Sequence, residues 1–296
     1  MSVPTTRIEV DPGYAFSGYA ERQKLYFDHS RGALIPGIEI WEAGELQLRV
    51  NRFGCKGDEL EPSMPVIGFF GDSTTMGHAF TPDSWPTHVD VAGYAVLNAG
   101  VEGLDMERVA GRYEVLAQEL SLAGAVVYVG WHNLVYNRTD ETYWEEQLVR
   151  FLGSHVTAYC TLASCLIEEA RARGFAALLN TAPVAGGVGA AAEAASLDTD
   201  YFNFWMDMDP DEYLGPILDG IERYNSFLRD FAERRGALLI DLRAALLPGS
   251  YEAMAQDFYD VCHIRPRAYA KVGRYVGDVL GCALPTVTAG METELR

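Results

Sequence analysis

A serine, an aspartate and a histidine occur where they could form a nucleophilic site. Ser73 lies in a Gly-Asp-Ser-Thr run directly after an apolar segment, and Asp260 precedes His263 by three residues near the other end of the chain. A nucleophilic serine requires a base that takes its proton, and the base requires an orienting group. An Asp at this spacing can reach the imidazole Nδ1 and leave Nε2 to face the serine. Each piece alone has a simpler interpretation, because Ser73 could merely cap a helix and the other two could lie in a surface loop.

Two further segments carry polar or flexible residues directly after apolar runs. They are Asn98–Gly103 and Gly130–Leu134. A glycine such as Gly100 allows a backbone N–H to approach a ligand closely, and the side chains of His132 and Asn133 would project beyond the end of a strand. The alternatives are a plain strand-ending turn in the first segment and local capping in the second.

Short apolar runs alternate with longer segments of helical periodicity from residue 65 onward. The predicted strands are 66–70, 95–98, 125–129, 176–181 and 237–241. The predicted helices are 104–120, 142–173, 216–235 and 267–281. Regular alternation of this kind predicts an α/β domain with a parallel sheet covered on both faces. Ligands of such sheets bind beyond the carboxyl ends of the strands, where the four polar segments would meet.

The remainder of the chain is divided around this domain. Residues 1–35 are predicted to be an irregular arm, and the alternating runs in 38–51 predict a β-hairpin. The predicted organisation is an N-terminal arm and hairpin packed on the main domain (1–64), the main domain (65–283) and a C-terminal tail (284–296).

Residues 184–212 are too long for an ordinary connection within such a domain, and we interpret them as an insertion. Their aromatic residues either pack the insertion onto the domain or form an apolar lid over a substrate. These residues are Tyr201, Phe202, Phe204 and Trp205.

Taken in order, the polar segments resemble the blocks of the SGNH hydrolase superfamily, also called GDSL esterases. The matching residues are Gly71, Asp72 and Ser73 in the first block, Gly100 in the second, and Asp260 and His263 in the last. The resemblance covers roughly residues 65–281, and Asn51–Gly57 is similar to a run that precedes the first block in some bacterial members. It implies a flavodoxin-like α/β/α sandwich with a five-stranded parallel sheet.

The resemblance also implies a role for each matched residue. Ser73 would be the nucleophile, His263 the general base and acid, and Asp260 its orienting group. The backbone N–H groups of Ser73 and Gly100 would form part of an oxyanion hole. Substrate contacts are expected from Asp72, Trp131 and Trp205.

The third block departs from the family pattern of Gly-x-Asn-Asp. An alignment without a gap places His132 where the oxyanion-binding Asn belongs, and Asn133 where the Asp belongs. A slip of one residue would instead bring Asn133 to the oxyanion. The ungapped alignment is simpler, so we expect His132 to be the donor.

The function expected from this resemblance is cleavage of a carboxylic ester through an acyl-enzyme. No metal or other cofactor is expected, and the substrate would be a small-molecule ester such as an acetylated sugar or natural product. Two alternatives remain open: an acyltransferase that uses the same residues, and a non-catalytic protein that binds a small molecule on this fold.

The composition bears on partners and location. Lys and Arg number 23 and Asp and Glu 42, which gives a net charge of −19. So acidic a surface repels phosphate backbones and anionic lipids, which argues against nucleic-acid and membrane partners. The chain has no apolar run of membrane-spanning length and no secretory signal pattern. Its five cysteines form no CxxC pair, and an odd count fits reduced thiols in the cytoplasm.

Overall fold

The structure is a computed structural model of the chain. It describes residues 5–11, 19–29, 31–61, 63–77, 81–136, 138–164, 210–246, 257–258, 262–285 and 287. Four expectations from the sequence lie outside these residues: the strand at 176–181, almost all of the insertion at 184–212, Asp260 and Trp205 with its neighbouring aromatics.

The described residues of the N-terminal part form two small sheets and one helix. A three-stranded sheet has the order β1 (Thr6–Val10), β4 (Ile38–Glu42) and β5 (Glu45–Val50). Helix α1 (Tyr19–Tyr26) leads into a pair of short strands, β2 (Phe27–Asp28) and β3 (Ala33–Leu34). The predicted hairpin is confirmed, since β4 and β5 are antiparallel. The predicted irregular arm is wrong, because β1 pairs in parallel with β4, a partner about thirty residues away that local periodicity cannot reveal.

Among the described residues, the main sheet has five strands, all parallel. They are β6 (Val66–Gly71), β7 (Ala95–Asn98), β8 (Leu122–Tyr128), β9 (Val156–Cys160) and β10 (Leu238–Ile240). Their spatial order is β10-β9-β8-β6-β7, and every neighbouring pair is parallel. Every residue of β6 is buried, which accounts for its continuous apolar sequence. The predicted fold class, α/β with a five-stranded parallel sheet, is confirmed.

Helices connect and flank the strands. They are α2 (Ser73–Met76), α3 (Met106–Glu119), α4 (Trp131–Val135), α5 (Glu141–Leu148), α6 (Pro210–Arg235), α7 (Leu242–Leu246) and α8 (Pro266–Ala283), with 3₁₀ turns at Trp85–His88 and Val149–Phe151. Asp105 caps α3 by accepting from the Arg108 N–H. Within the described residues, no helix combines the length and apolar character needed to cross a bilayer.

The predicted helix at 142–173 is correct only at its start, within α5, and is wrong over the described residues that follow. Helix α5 ends at Leu148, and strand β9 begins at Val156 after a bend. Strand β9 lies between β8 and β10, and four of its five residues are buried. A short apolar run buried in this way has no alternation that would distinguish it from a helix, so the local pattern was ambiguous.

The strand order defines the place of a site. Counted along the chain, the five strands lie in the order 2-1-3-4-5, which is the flavodoxin-like order. The direction of winding reverses between β6 and β8, and ligands of open α/β sheets bind beyond the carboxyl ends of the strands at such a point. Ser73 follows β6 and His132 follows β8, so both lie at this edge.

Candidate active site

The end of β6 and the start of α2 hold Ser73 in a tight strand-to-helix turn. A Cβ on Gly71 would lie 2.3 Å from the Tyr128 carbonyl oxygen, so only glycine fits there. The side chain of Asp72 caps α2, with its Oδ1 accepting from the Thr74 N–H at 2.9 Å and from the Thr74 hydroxyl at 2.6 Å. Ser73 is the first helical residue, so its N–H has no acceptor within the helix.

The structure brings Ser73 and His263 together across 190 residues of sequence. The Ser73 Oγ lies 2.8 Å from the His263 Nε2, within hydrogen-bond distance. Ser73 is 9% exposed and His263 is partly buried. This is the contact that a serine nucleophile and its general base require.

The backbone on both sides of His263 is anchored. Phe258 and Ile264 form an isolated β-bridge around it. Next to this bridge, the Arg265 N–H donates to the Asp257 carbonyl oxygen at 2.8 Å, and the Arg265 Nε donates to the Phe258 carbonyl oxygen at 2.6 Å. The loop therefore presents His263 directly before α8, where Pro266 starts the helix.

The other imidazole nitrogen of His263 faces a thiol among the described residues. The Cys262 Sγ lies 3.4 Å from Nδ1, and Cys262 is buried. Asp260, the expected orienting group, lies outside the described residues, so its role stays a prediction. Sequence reasoning missed Cys262, whose only signal was its position next to His263.

The two candidate oxyanion donors after β8 have different environments. Asn133 is fully buried, its Oδ1 accepts from the Met106 N–H at 3.0 Å, and its Nδ2 contacts the Tyr143 hydroxyl at 3.4 Å. The amide therefore caps α3 and is committed to it. His132 is partly exposed as a residue, and its Nδ1 atom is buried without a hydrogen-bond partner among the described residues. Of the two side chains, only His132 is uncommitted in this way.

The backbone N–H of Gly100 is engaged. It donates to the Asn98 Oδ1 at 3.0 Å. A Cβ on Gly100 would lie 2.3 Å from the Met76 nitrogen, so the glycine is required because the end of β7 packs directly on α2. We expected the Gly100 backbone to approach a ligand closely, but it approaches α2 instead. Because its N–H already donates to Asn98, an oxyanion role for the Gly100 N–H does not fit this geometry.

Two of the residues expected to contact substrate, Asp72 and Trp131, are buried. Asp72 is 1% exposed and Trp131 is 3% exposed. The carboxylate of Asp72 caps α2, and the Trp131 indole N–H donates to the Tyr128 hydroxyl at 3.4 Å. Both residues have structural contacts that sequence reasoning did not foresee. Trp205 lies outside the described residues, so its substrate contact stays a prediction.

Asn98 is a positioning residue that the sequence reasoning missed. Its Nδ2 donates to the Thr75 and Met76 carbonyl oxygens at 3.3 Å and to the Ser84 hydroxyl at 3.0 Å. These bonds satisfy carbonyl groups at the C-terminal end of α2, which otherwise have no intrahelical partner. The only sequence signal was a polar residue at the end of the apolar run of β7.

A buried lysine connects the N-terminal hairpin to the same strand end. Lys56 is 2% exposed, forms isolated bridges with Val50 and Asn98, and donates from Nζ to the Asp83 carbonyl oxygen at 2.9 Å. Burial lowers the pKa of Lys56 to about 7, against a smaller opposing effect of the Glu102 carboxylate.

Other titratable groups beneath the site stay neutral. Burial raises the pKa of the Tyr128 and Tyr224 hydroxyls well above their ordinary values, so both remain protonated.

Among the described residues, no group of three or more His, Cys, Asp or Glu side chains has a geometry that could hold a metal ion.

Comparison with known proteins finds similar solved structures but no match by sequence. No protein-family model and no curated protein matches the sequence. A crystal structure of a G-D-S-L family lipolytic protein from Veillonella parvula is 16% identical, with a TM-score of 0.50 over 73% of this chain and 98% of that one. The lipase/acylhydrolase from Enterococcus faecalis is 18% identical, with a TM-score of 0.50 over 76% of this chain and 100% of that one.

A third solved structure agrees with these two. A GDSL-like lipase from Bacteroides thetaiotaomicron is 13% identical, with a TM-score of 0.50 over 76% of this chain and 93% of that one. All three identities are low, so the likeness is one of fold. Together with the strand order and the placement of Ser73, it establishes that this chain has the fold of the GDSL lipolytic proteins and acylhydrolases.

Proposed function

We propose that this protein is a serine esterase that cleaves a carboxylic ester of a small molecule through an acyl-enzyme. The observation that carries the proposal is the 2.8 Å contact between the Ser73 Oγ and the His263 Nε2 at the switch point of the sheet. The GDSL lipolytic proteins and acylhydrolases with the same fold support an ester substrate.

The first half-reaction begins with attack by Ser73. Its Oγ adds to the ester carbonyl carbon while the proton passes to the His263 Nε2, which gives a tetrahedral oxyanion and an imidazolium. The C–O bond to the alcohol then breaks, and His263 returns the proton to the leaving oxygen. In the second half-reaction, His263 takes a proton from water as the water oxygen adds to the acyl carbon. His263 then returns the proton to the Ser73 Oγ as the bond between Oγ and the acyl carbon breaks and the acid leaves.

The oxyanion needs donors at the end of β6 and β8. The Ser73 N–H has no acceptor within α2, and the His132 side chain is uncommitted, whereas the Asn133 amide and the Gly100 N–H are both engaged. We therefore assign the oxyanion to the Ser73 N–H and the His132 side chain. Preorganised donors of this kind typically contribute about 2.7–4 kcal/mol each in the transition state.

The proposal is tested by covalent labelling and by an ester screen. A fluorophosphonate should label the protein at Ser73, as identified by mass spectrometry of the labelled peptide. p-Nitrophenyl esters of rising chain length, assayed beside sugar acetates, should show turnover and define the acyl group. An absence of both labelling and turnover would favour the alternative of a non-catalytic binding protein.

The assignment of His132 predicts a specific pattern of activity. His132→Ala should lower kcat by about 10²–10³-fold, the usual effect of losing one oxyanion donor. His132→Asn should recover much of that loss, because an amide also offers an N–H. The measurement is kcat for p-nitrophenyl acetate in each purified variant.

Asn133→Ala is the matched variant for this prediction. It removes a buried cap of α3, so we expect a lower free energy of unfolding with a smaller change in kcat. If Asn133→Ala lowers kcat more than His132→Ala does in folded protein, the donor is Asn133 and our alignment of the third block is wrong.

A further inference from the structure

A cavity whose lining does not include Ser73 lies between the N-terminal sheets and α3. Its volume is about 630 Å³, within the usual range for sites that bind small molecules. The lining includes four arginines and one acidic residue, Glu119. The arginines are Arg31, Arg52, Arg108 and Arg112. Such a concentration of positive charge is unexpected in a chain whose net charge is −19.

Two of these arginines have guanidinium groups without a partner in the part of the chain that the structure describes. Arg31 and Arg108 are both exposed, and neither forms an ion pair or a side-chain hydrogen bond with any described residue. Another exposed arginine does form such a pair, since the Arg223 Nε lies 3.0 Å from the Glu141 carboxylate. The cavity therefore has cationic groups whose hydrogen-bond donors are available to a ligand.

The other two arginines are held in place by protein contacts. Arg112 donates from Nε to the Ala99 carbonyl oxygen at 3.0 Å and from Nη2 to the Gly54 carbonyl oxygen at 2.5 Å. Arg52 lies 4.6 Å from the centre of the Phe53 ring and 3.8 Å from the Glu59 carboxylate. Held guanidinium groups lose less conformational entropy when an anion binds than free ones do.

The remaining walls of the cavity are largely apolar. Phe53, Leu34 and Leu116 line it, and the Val115 side chain is 57% exposed beside them. A ligand that fits must therefore combine a charged end with an apolar body. Guanidinium groups recognise carboxylate and phosphate through paired hydrogen bonds, and several of them together favour the group with more than one negative charge.

We propose that this cavity binds a small organic phosphate, with its phosphate on Arg31 and Arg108 and its apolar body against Phe53 and Val115. Glu119 is placed to oppose a ligand of excessive negative charge, which favours a monophosphate over longer polyphosphates. The cavity is lined by none of the residues of the Ser73 site, so this site is separate from the proposed esterase activity.

Isothermal titration of the full chain with phenyl phosphate at low ionic strength tests the proposal. We expect one site with a Kd below about 1 mM. Arg31→Gln/Arg108→Gln should weaken binding at least about 10-fold, since hydrogen bonds to charged groups are strong. Phenol, which lacks the phosphate, should bind much more weakly, and inorganic phosphate should bind more weakly because it lacks the apolar body.

The control removes the same charge elsewhere. Arg229→Gln/Arg274→Gln neutralises two exposed arginines on α6 and α8 and should leave the Kd within about twofold. Equal weakening of phenyl phosphate binding in both double variants would mean that binding depends only on the overall charge of the protein. That result would contradict the proposed site. Unchanged binding in Arg31→Gln/Arg108→Gln would also overturn it. Loss of binding in Ser73→Ala would locate the ligand at the esterase site and would contradict the proposal without touching the proposed function.

Discussion

Replacing Ser73 with alanine is expected to lower kcat for p-nitrophenyl acetate by about 10⁴–10⁶-fold. The change removes the atom that would form the acyl-enzyme and leaves His263 without the oxygen that lies 2.8 Å from its Nε2. The fold should persist, because α2 is held by the side chains of Asp72 and Asn98 and not by the Ser73 hydroxyl. The measurements are steady-state kinetics and the thermal unfolding temperature of each purified protein.

Ser63→Ala is the matched control for this prediction. Ser63 is exposed, with its hydroxyl 3.5 Å from the Glu61 carboxylate, so its loss should change neither kcat nor fluorophosphonate labelling. His263→Ala should cause a loss similar to that of Ser73→Ala, since nucleophile and base act as one unit. A folded Ser73→Ala protein with the kcat of the wild type would exclude the serine mechanism.

Lys56 is expected to make the free energy of unfolding rise with pH above neutrality. In the folded protein the pKa of Lys56 is about 7, and its ordinary value is 10.5. Between these two values the unfolded chain binds the proton and the folded chain does not, so unfolding takes up a proton and is disfavoured as the pH rises. At 1.36 kcal/mol per pKa unit, this contributes about 2 kcal/mol between about pH 7.5 and about pH 9.

Lys56→Met removes the titrating group while keeping a long side chain in the same space. The difference in free energy of unfolding between wild type and Lys56→Met, measured by urea denaturation at several pH values, should therefore grow in favour of the wild type as the pH rises. Other groups, such as the buried tyrosines, titrate in both proteins and cancel in the difference. Lys271→Met removes a partly exposed lysine on α8 and controls for the loss of one positive charge. A difference that stays constant over this range would show that Lys56 ionises alike in both states.

The behaviour of Lys56 is linked to the site through its neighbours. Its bridge to Asn98 and its bond to the Asp83 carbonyl oxygen place it beside the end of β7, and Glu102 in the following loop accepts from the Tyr26 hydroxyl at 2.7 Å. This buried set of polar groups joins the N-terminal sheets to the domain that carries Ser73. Its members must keep their partners, since an unpaired buried charge costs far more than a paired one.

The sequence by itself was sufficient for the fold class and for most of the main-sheet strands. Short apolar runs that alternate with segments of helical periodicity predicted the α/β class and the positions of β6, β7, β8 and β10. The resemblance of its motifs to the SGNH hydrolases implied that Ser73 and His263 would meet, and the structure brings the Ser73 Oγ to 2.8 Å from the His263 Nε2. These features depend on residues close in sequence or on the order of short motifs along the chain.

Tertiary structure decided what each side chain contacts. Strand β9 could be distinguished from a helix only by its position between β8 and β10. Strand β1 could be recognised only by its pairing with β4. The commitment of Asn133 to α3, the engagement of the Gly100 N–H by Asn98, and the burial of Lys56 all involve atoms that only the folded chain brings together. The arginine-lined cavity is another such case, since Arg31 and Arg108 are 77 residues apart in the sequence. Local periodicity reports which face of an element is apolar, but the direction of a polar side chain depends on partners that the fold supplies.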